Sequence, residues 1–127
     1  MTQSTTHGVR IEVESAYVPE RSAPEQDYYF FAYRVRISNV GEETVQLLSR
    51  HWVITDGDSK VEEVRGPGVI GEQPVLEPGQ AHEYTSACPL RTQVGTMHGS
   101  YQMVSASGES FDAEIAPFTL ALPNVLN

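Results

Sequence analysis

The chain has 127 residues, 17 acidic side chains against 8 lysines and arginines, four histidines and one cysteine, with 39% hydrophobic residues and a formal charge of -9 at pH 7. A chain of this length makes one domain with its own core, and the acidic excess repels nucleic acid backbones and anionic membrane surfaces. The lone Cys88 excludes an internal disulfide and a cysteine-rich zinc site, and no leader pattern or run of ~18 apolar residues occurs, so the expectation is a cytoplasmic protein.

Residues 1–8 are small and polar and are expected to be loose, as are residues 123–127, leaving a single domain over 9–122. Val9, Ile11 and Val13 alternate with Arg10, Glu12 and Glu14, the period-two mark of a half-buried strand. In Tyr28–Ser38 the residues Tyr29, Phe31, Tyr33, Val35 and Ile37 share one face, and Asn39-Val40-Gly41 ends the strand. Tyr28 and Phe30 point the other way, which leaves either a strand covered on both sides or an aromatic patch free for a partner or a second copy in a homodimer. Further strands are predicted at Thr44–Leu48, Arg50–Thr55, Lys60–Arg65, His82–Ala87, Gly99–Ser105 and Ser110–Ile115, separated by Asp56-Gly57-Asp58, Glu77-Pro78-Gly79 and Ser107-Gly108. No window carries an apolar stripe of helical period over more than two turns. The fold class is therefore all-β: an antiparallel sandwich of immunoglobulin or fibronectin III type with seven or eight strands.

One stretch invites a chemical reading. Gly66-Pro67-Gly68-Val69-Ile70-Gly71 fits the G-x-G-x-x-G spacing of dinucleotide sites, but those sites need a helix to open at the last glycine. Here Glu72-Gln73-Pro74 follows, and the position for a ribose-binding acid falls at Cys88 to Arg91. A P-loop fails as well, because Glu72 stands where its lysine should be. Two readings remain: an anion nest beside Arg65, or a crossover that needs glycine dihedrals and close backbone approach.

Metal and nucleophile motifs are weak. His7, His51, His82 and His98 form no H-x-H or H-E-x-x-H pair, and Asp56-Gly57-Asp58-Ser59-Lys60 reads as a hairpin rather than a calcium loop. Convergence of scattered histidines and carboxylates on weakly held magnesium or cobalt stays open at this level; no resident cofactor is expected. Cys88 lacks an activating neighbour and reads as inert. No G-x-S-x-G elbow occurs, and phosphoanhydride hydrolysis finds no base or metal pair. Trp52 shares a face with Ile54 and reads as a core anchor.

Taken in order, "YFFAYRVRISNVG", "SRHWVITD", "EVRGPGVIGEQPVLEPG", "YTSACPL", "GTMHGSYQM" and "FDAEIAPFTL" resemble the ApaG family over about Tyr28 to Leu120. The resemblance implies a fibronectin III-like sandwich in a cytoplasmic bacterial protein, linked by family name to cobalt tolerance and magnesium efflux and without an established reaction. Similar domains in F-box proteins and a polymerase delta-interacting protein imply protein binding. Carried onto this chain, the partner-binding loop is Arg65, Gly66, Gly68, Gly71, Gln73 and Pro74, with Arg50, His51, Trp52, Thr85, Ser86, Met97 and Gly99 as neighbouring signature residues. Gln93, Ala87 and Gly57-Asp58 depart from the family pattern. The expectation is a binding module without catalysis; the alternative is direct binding of divalent metal or nucleotide pyrophosphate at the glycine loop.

Overall fold

A computed structural model describes residues 1–124. Its nine strands are β1 (Thr2–Thr6), β2 (Val9–Tyr17), β3 (Tyr29–Asn39), β4 (Val45–Asp56), β5 (Val61–Pro67), β6 (Val75–Leu76), β7 (Ala81–Leu90), β8 (Val94–Ser105) and β9 (Ser110–Ala121). Two antiparallel sheets stack as a sandwich, one in the order β1-β2-β3-β7, the other β5-β4-β8-β9 with β6 beside β4. The only helical pieces among the described residues are two single 3-10 turns, Pro19–Arg21 and Pro24–Gln26.

Alternation works as the sequence implies. Val9, Ile11 and Val13 of β2, and Phe31, Tyr33, Val35 and Ile37 of β3, are buried against Trp52, Met97, Tyr101 and Ile115 of the second sheet. Trp52 sits at the centre, meeting Tyr33, Tyr101 and Phe118 edge-on at 5.4, 6.3 and 5.9 Å between ring centroids. Such edge-to-face pairs add to burial because the positive ring edge meets a negative face.

Three expectations are corrected. Residues 1–8 are not loose: Thr2–Thr6 pair with Val9–Val13 through a tight His7-Gly8 turn in which both residues have positive φ. Backbone pairing and β-branched threonines hold this strand, which has no apolar alternation for a sequence reading to detect. Second, Thr44–Leu48 and Arg50–Thr55 are one strand, because a bulge between Leu47 and Ser49 absorbs the break in pattern. Third, two-residue β6 was too short to predict; with β1 and β6 added and two expected strands merged, the described residues form nine strands. Of the expected tail at 123–127, residues 125–127 lie outside the described residues.

The two flanks of the sandwich differ. On one, β1 and β2 reach β9 directly: the Glu114 amide donates to Thr6 Oγ1 at 3.2 Å, and Ser15 Oγ donates to the Thr119 carbonyl at 2.9 Å. On the other, β5 pairs with β4 and β7 with β3, but β5 and β7 do not pair with each other.

Candidate functional site

The glycine stretch forms a rigid hairpin. The Val69 amide donates to the Glu72 carbonyl at 2.8 Å, and the Glu72 amide donates to Val69 at 3.0 Å. Between them, Ile70 at φ +47 and Gly71 at φ +75 make a two-residue turn with both central residues left-handed, the type I′ geometry that favours Asn-Gly. A β-branched isoleucine there is strained. Val69 is buried beneath, while Ile70 stands 64% exposed at the tip.

The bulge in β4 is the hairpin's seat. The Leu48 carbonyl accepts both the Gly68 amide and Gln73 Nε2, each at 2.9 Å. The Leu47 amide donates to the Pro74 carbonyl at 3.0 Å. Arg50 Nη1 donates to the carbonyls of Pro67 and Gly68 at 3.0 and 2.9 Å. Close approach requires glycine at Gly68, itself at φ +61, where a Cβ would strike the Glu72 carbonyl oxygen; a Cβ on Gly66 would press on the Arg50 guanidinium at 3.0 Å and shift it slightly. With the Val69 and Glu72 amides committed inside the hairpin and the Gly68 amide committed to Leu48 of β4, little of a phosphate nest is left, and no helix follows among the described residues.

The signature residues do not form one surface. Trp52 and Met97 are core. Gly99 faces Trp52 across β4 and β8, where a Cβ would run into the His51 carbonyl oxygen. His51 and Arg65 share the outer face of the second sheet around Glu63, at 2.7 and 3.7 Å from its Oε1. Thr85 is exposed on β7, whereas Ser86 turns inward opposite Tyr33. His82 meets Glu72 at 3.7 Å, joining the hairpin to β7 across the open flank, and His7 meets Glu109 at 3.7 Å at the far end. Among the described residues no three His, Cys, Asp or Glu side chains are placed to hold a metal ion; the histidines do not converge, so the residues present do not fit a resident magnesium or cobalt.

Sequence reasoning missed a polar cluster inside the open flank. The hydroxyls of Tyr84 and Tyr101 are hydrogen-bonded, with Tyr33 nearby. Burial pushes the ionisation of all three tyrosines up, and the positive charge of half-buried Arg50 pulls it back in each case. Cys88, a little further along β7, has its thiol pushed up to about 11, first by burial and then by Glu62. A sequence signal existed only in retrospect: Tyr84, Ser86 and Cys88 alternate, but their polar groups mask an inward face.

Fold and site together define a small β-sandwich module carrying a braced glycine hairpin. Residues 19–105 match the ApaG domain. The chain is 60% identical over 119 residues to Protein ApaG of Azotobacter vinelandii, covering 94% of each, and 54% identical to that of Thiobacillus denitrificans over the full length of both. It belongs to the ApaG domain family. A solved ApaA protein from Bordetella pertussis superposes with a TM-score of 0.90 at 52% identity, covering 92% of this chain and 95% of that one. Likeness to one part of a Bacteroides uniformis beta-glucuronidase, at TM-score 0.55 and 11% identity over 13% of that chain, concerns the fold alone.

Proposed function

We propose that this chain is a non-enzymatic, cytoplasmic binding module whose glycine hairpin recognises a protein partner by backbone and shape, and that its link to cobalt tolerance and magnesium efflux is indirect. The observation that carries this reading is Ile70, a β-branched, exposed side chain held at positive φ on a hairpin fixed from beneath by Arg50, Gln73 and the Leu48 carbonyl. Strain of this kind persists where surrounding structure enforces it, and it clusters at sites of recognition. Leu48 and Val75, on the segments flanking the hairpin's seat, are exposed large hydrophobics too, and a preorganised apolar tip loses little entropy on docking.

Two further observations support the absence of chemistry. The Cys88 thiol is buried and harder to ionise than usual, the reverse of an activated nucleophile. The scattered histidines leave any effect on cations to the partner. The test is a quantitative pull-down from cell extract comparing the native protein with Ile70→Asp and, as control, Val40→Asp, which alters an exposed apolar residue outside the hairpin. The expected result is a defined set of partners lost with Ile70→Asp and kept with Val40→Asp. The same partners on all three proteins would remove the hairpin from recognition.

A further inference from the structure

The open flank carries a second surface, independent of the hairpin tip. The Asn39 amide donates to the Gln80 carbonyl where β3 begins its pairing with β7. Because successive residues of a strand direct their backbone groups to opposite sides, those of Glu83, Thr85 and Ala87 point away from β3, towards open space. Pro89, two residues further in the same phase, has no N–H to offer and ends this free edge, a common place for proline on an edge strand. Exposed edges template the addition of another strand.

Charge says what kind of strand. Of the eight Lys and Arg residues, Arg10, Arg34, Arg36 and Arg65 each have a carboxylate within 4 Å, and Arg21 lies over the Phe30 ring at 4.8 Å. The remaining three, Arg50, Lys60 and Arg91, have no carboxylate partner among the described residues. All three lie along the open flank. Arg50 projects between the sheets, its guanidinium packed over Gly66 of β5. Lys60 and Arg91 line an open depression of about 310 Å³ between the start of β5 and the end of β7, floored by Ile54 and Leu90. In a protein of charge -9, gathering the three cations that have neither a carboxylate nor a ring partner on the one flank with two free edges is complementary to a negative ligand. Two carboxylates border the same depression: Asp56, whose Oδ1 accepts from the Asp58 and Lys60 amides at 2.9 Å, and Glu62, the freer opposing charge, which bears on Cys88.

We infer that this flank binds an extended acidic segment of another protein, which adds as a strand beside β7, closes the sandwich, and sets a carboxylate on Arg50 and another near Lys60 and Arg91. From Gly66, opposite Arg50, to Lys60 is six residues of strand, ~20 Å, so a segment of about seven residues spans both cationic points. Edge pairing supplies the register, and alternate inward side chains supply the selectivity.

The test uses the full chain and a synthetic twelve-residue peptide of alternating valine and glutamate, with a valine-lysine peptide of equal length as control, followed by NMR amide shifts. The expected result is shifts at Glu83, Thr85 and Ala87 with the glutamate peptide and none with the lysine peptide. Thr85→Pro, which removes an unused edge N–H, abolishes them. A Lys60→Gln/Arg91→Gln variant, which leaves Arg50 and the hairpin intact, weakens binding about tenfold, as expected for the loss of charge-assisted hydrogen bonds. Equal binding of the two peptides, shifts confined to the hairpin, no shifts at millimolar peptide, or concentration-dependent shifts on β7 without peptide, which would mean a second copy, each overturn the inference. Because Ile70→Asp leaves this flank untouched, failure here and failure of the hairpin's role are separately readable.

Discussion

The flank where β1 meets β9 and the flank where β5 and β7 stay apart solve one problem in opposite ways. The closed flank is sealed by an added polar strand and by uncharged hydrogen bonds, one accepted by Thr6 and one donated by Ser15. The open flank leaves its edges unpaired and is plugged from within by Tyr33, Tyr84, Tyr101 and Arg50. A sandwich needs apolar contact only at its centre, so its margins are free to be sealed or left for a partner. On the readings proposed above, the difference is a division of labour: one margin supports the fold, and the other, together with the hairpin that crosses its end, serves recognition.

The comparison breaks most completely if the framework shared by both margins is disturbed. Gly99→Ala, which drives a Cβ into the His51 carbonyl between central strands, is expected to cost about 3 kcal/mol, read by urea unfolding. Next comes the plug. Tyr101→Phe leaves the Tyr84 hydroxyl without its partner and is expected to cost about 2 kcal/mol. Adding Tyr84→Phe should cost less than a second such loss, because the orphaned hydroxyl is then removed as well.

Alkaline pH separates the margins by chemistry. The folded state raises the ionisation of Cys88, Tyr33, Tyr84 and Tyr101, so it holds protons that the unfolded chain releases sooner. The stability this contributes is complete below pH 9 and is lost as pH rises, through Cys88 between 9.0 and about 11 and through the tyrosines above 10.0. Urea midpoints measured from pH 7 to 11 should fall accordingly, and Cys88→Ala should flatten the portion between 9 and 11. The Thr6 and Ser15 hydroxyls that seal the closed margin do not titrate in this range, so their hydrogen bonds add nothing to this slope.

Smaller changes sharpen the picture. Ile70→Asn supplies the residue that a type I′ turn prefers and should raise stability by about 1 kcal/mol in thermal unfolding, while weakening partner capture through loss of the apolar tip. A site that gains stability and loses binding is the signature of strain kept for recognition. On the closed margin, Ser15→Ala removes one exposed hydrogen bond and should cost only about 0.5 kcal/mol by the same measurement.

By itself the sequence determined the class of fold and much of the core, because alternation in Tyr29–Ile37 and the turn residues between strands follow from the two-residue period of the backbone. It determined also that Gly66-Pro67-Gly68-Val69-Ile70-Gly71 could not open a nucleotide-binding helix, since Pro74 and Glu72 act locally. Tertiary structure alone decided the rest. Thr2–Thr6 became a strand through pairing that polar residues do not announce, and a bulge at Leu48 turned two apparent strands into one and made a seat for the hairpin. The meeting of Arg50 with Gly66, of Tyr84 with Tyr101, and the gathering of Arg50, Lys60 and Arg91 on one margin depend on strands distant in sequence. Side-chain alternation is written residue by residue, whereas which edges stay free is settled only when both sheets are in place.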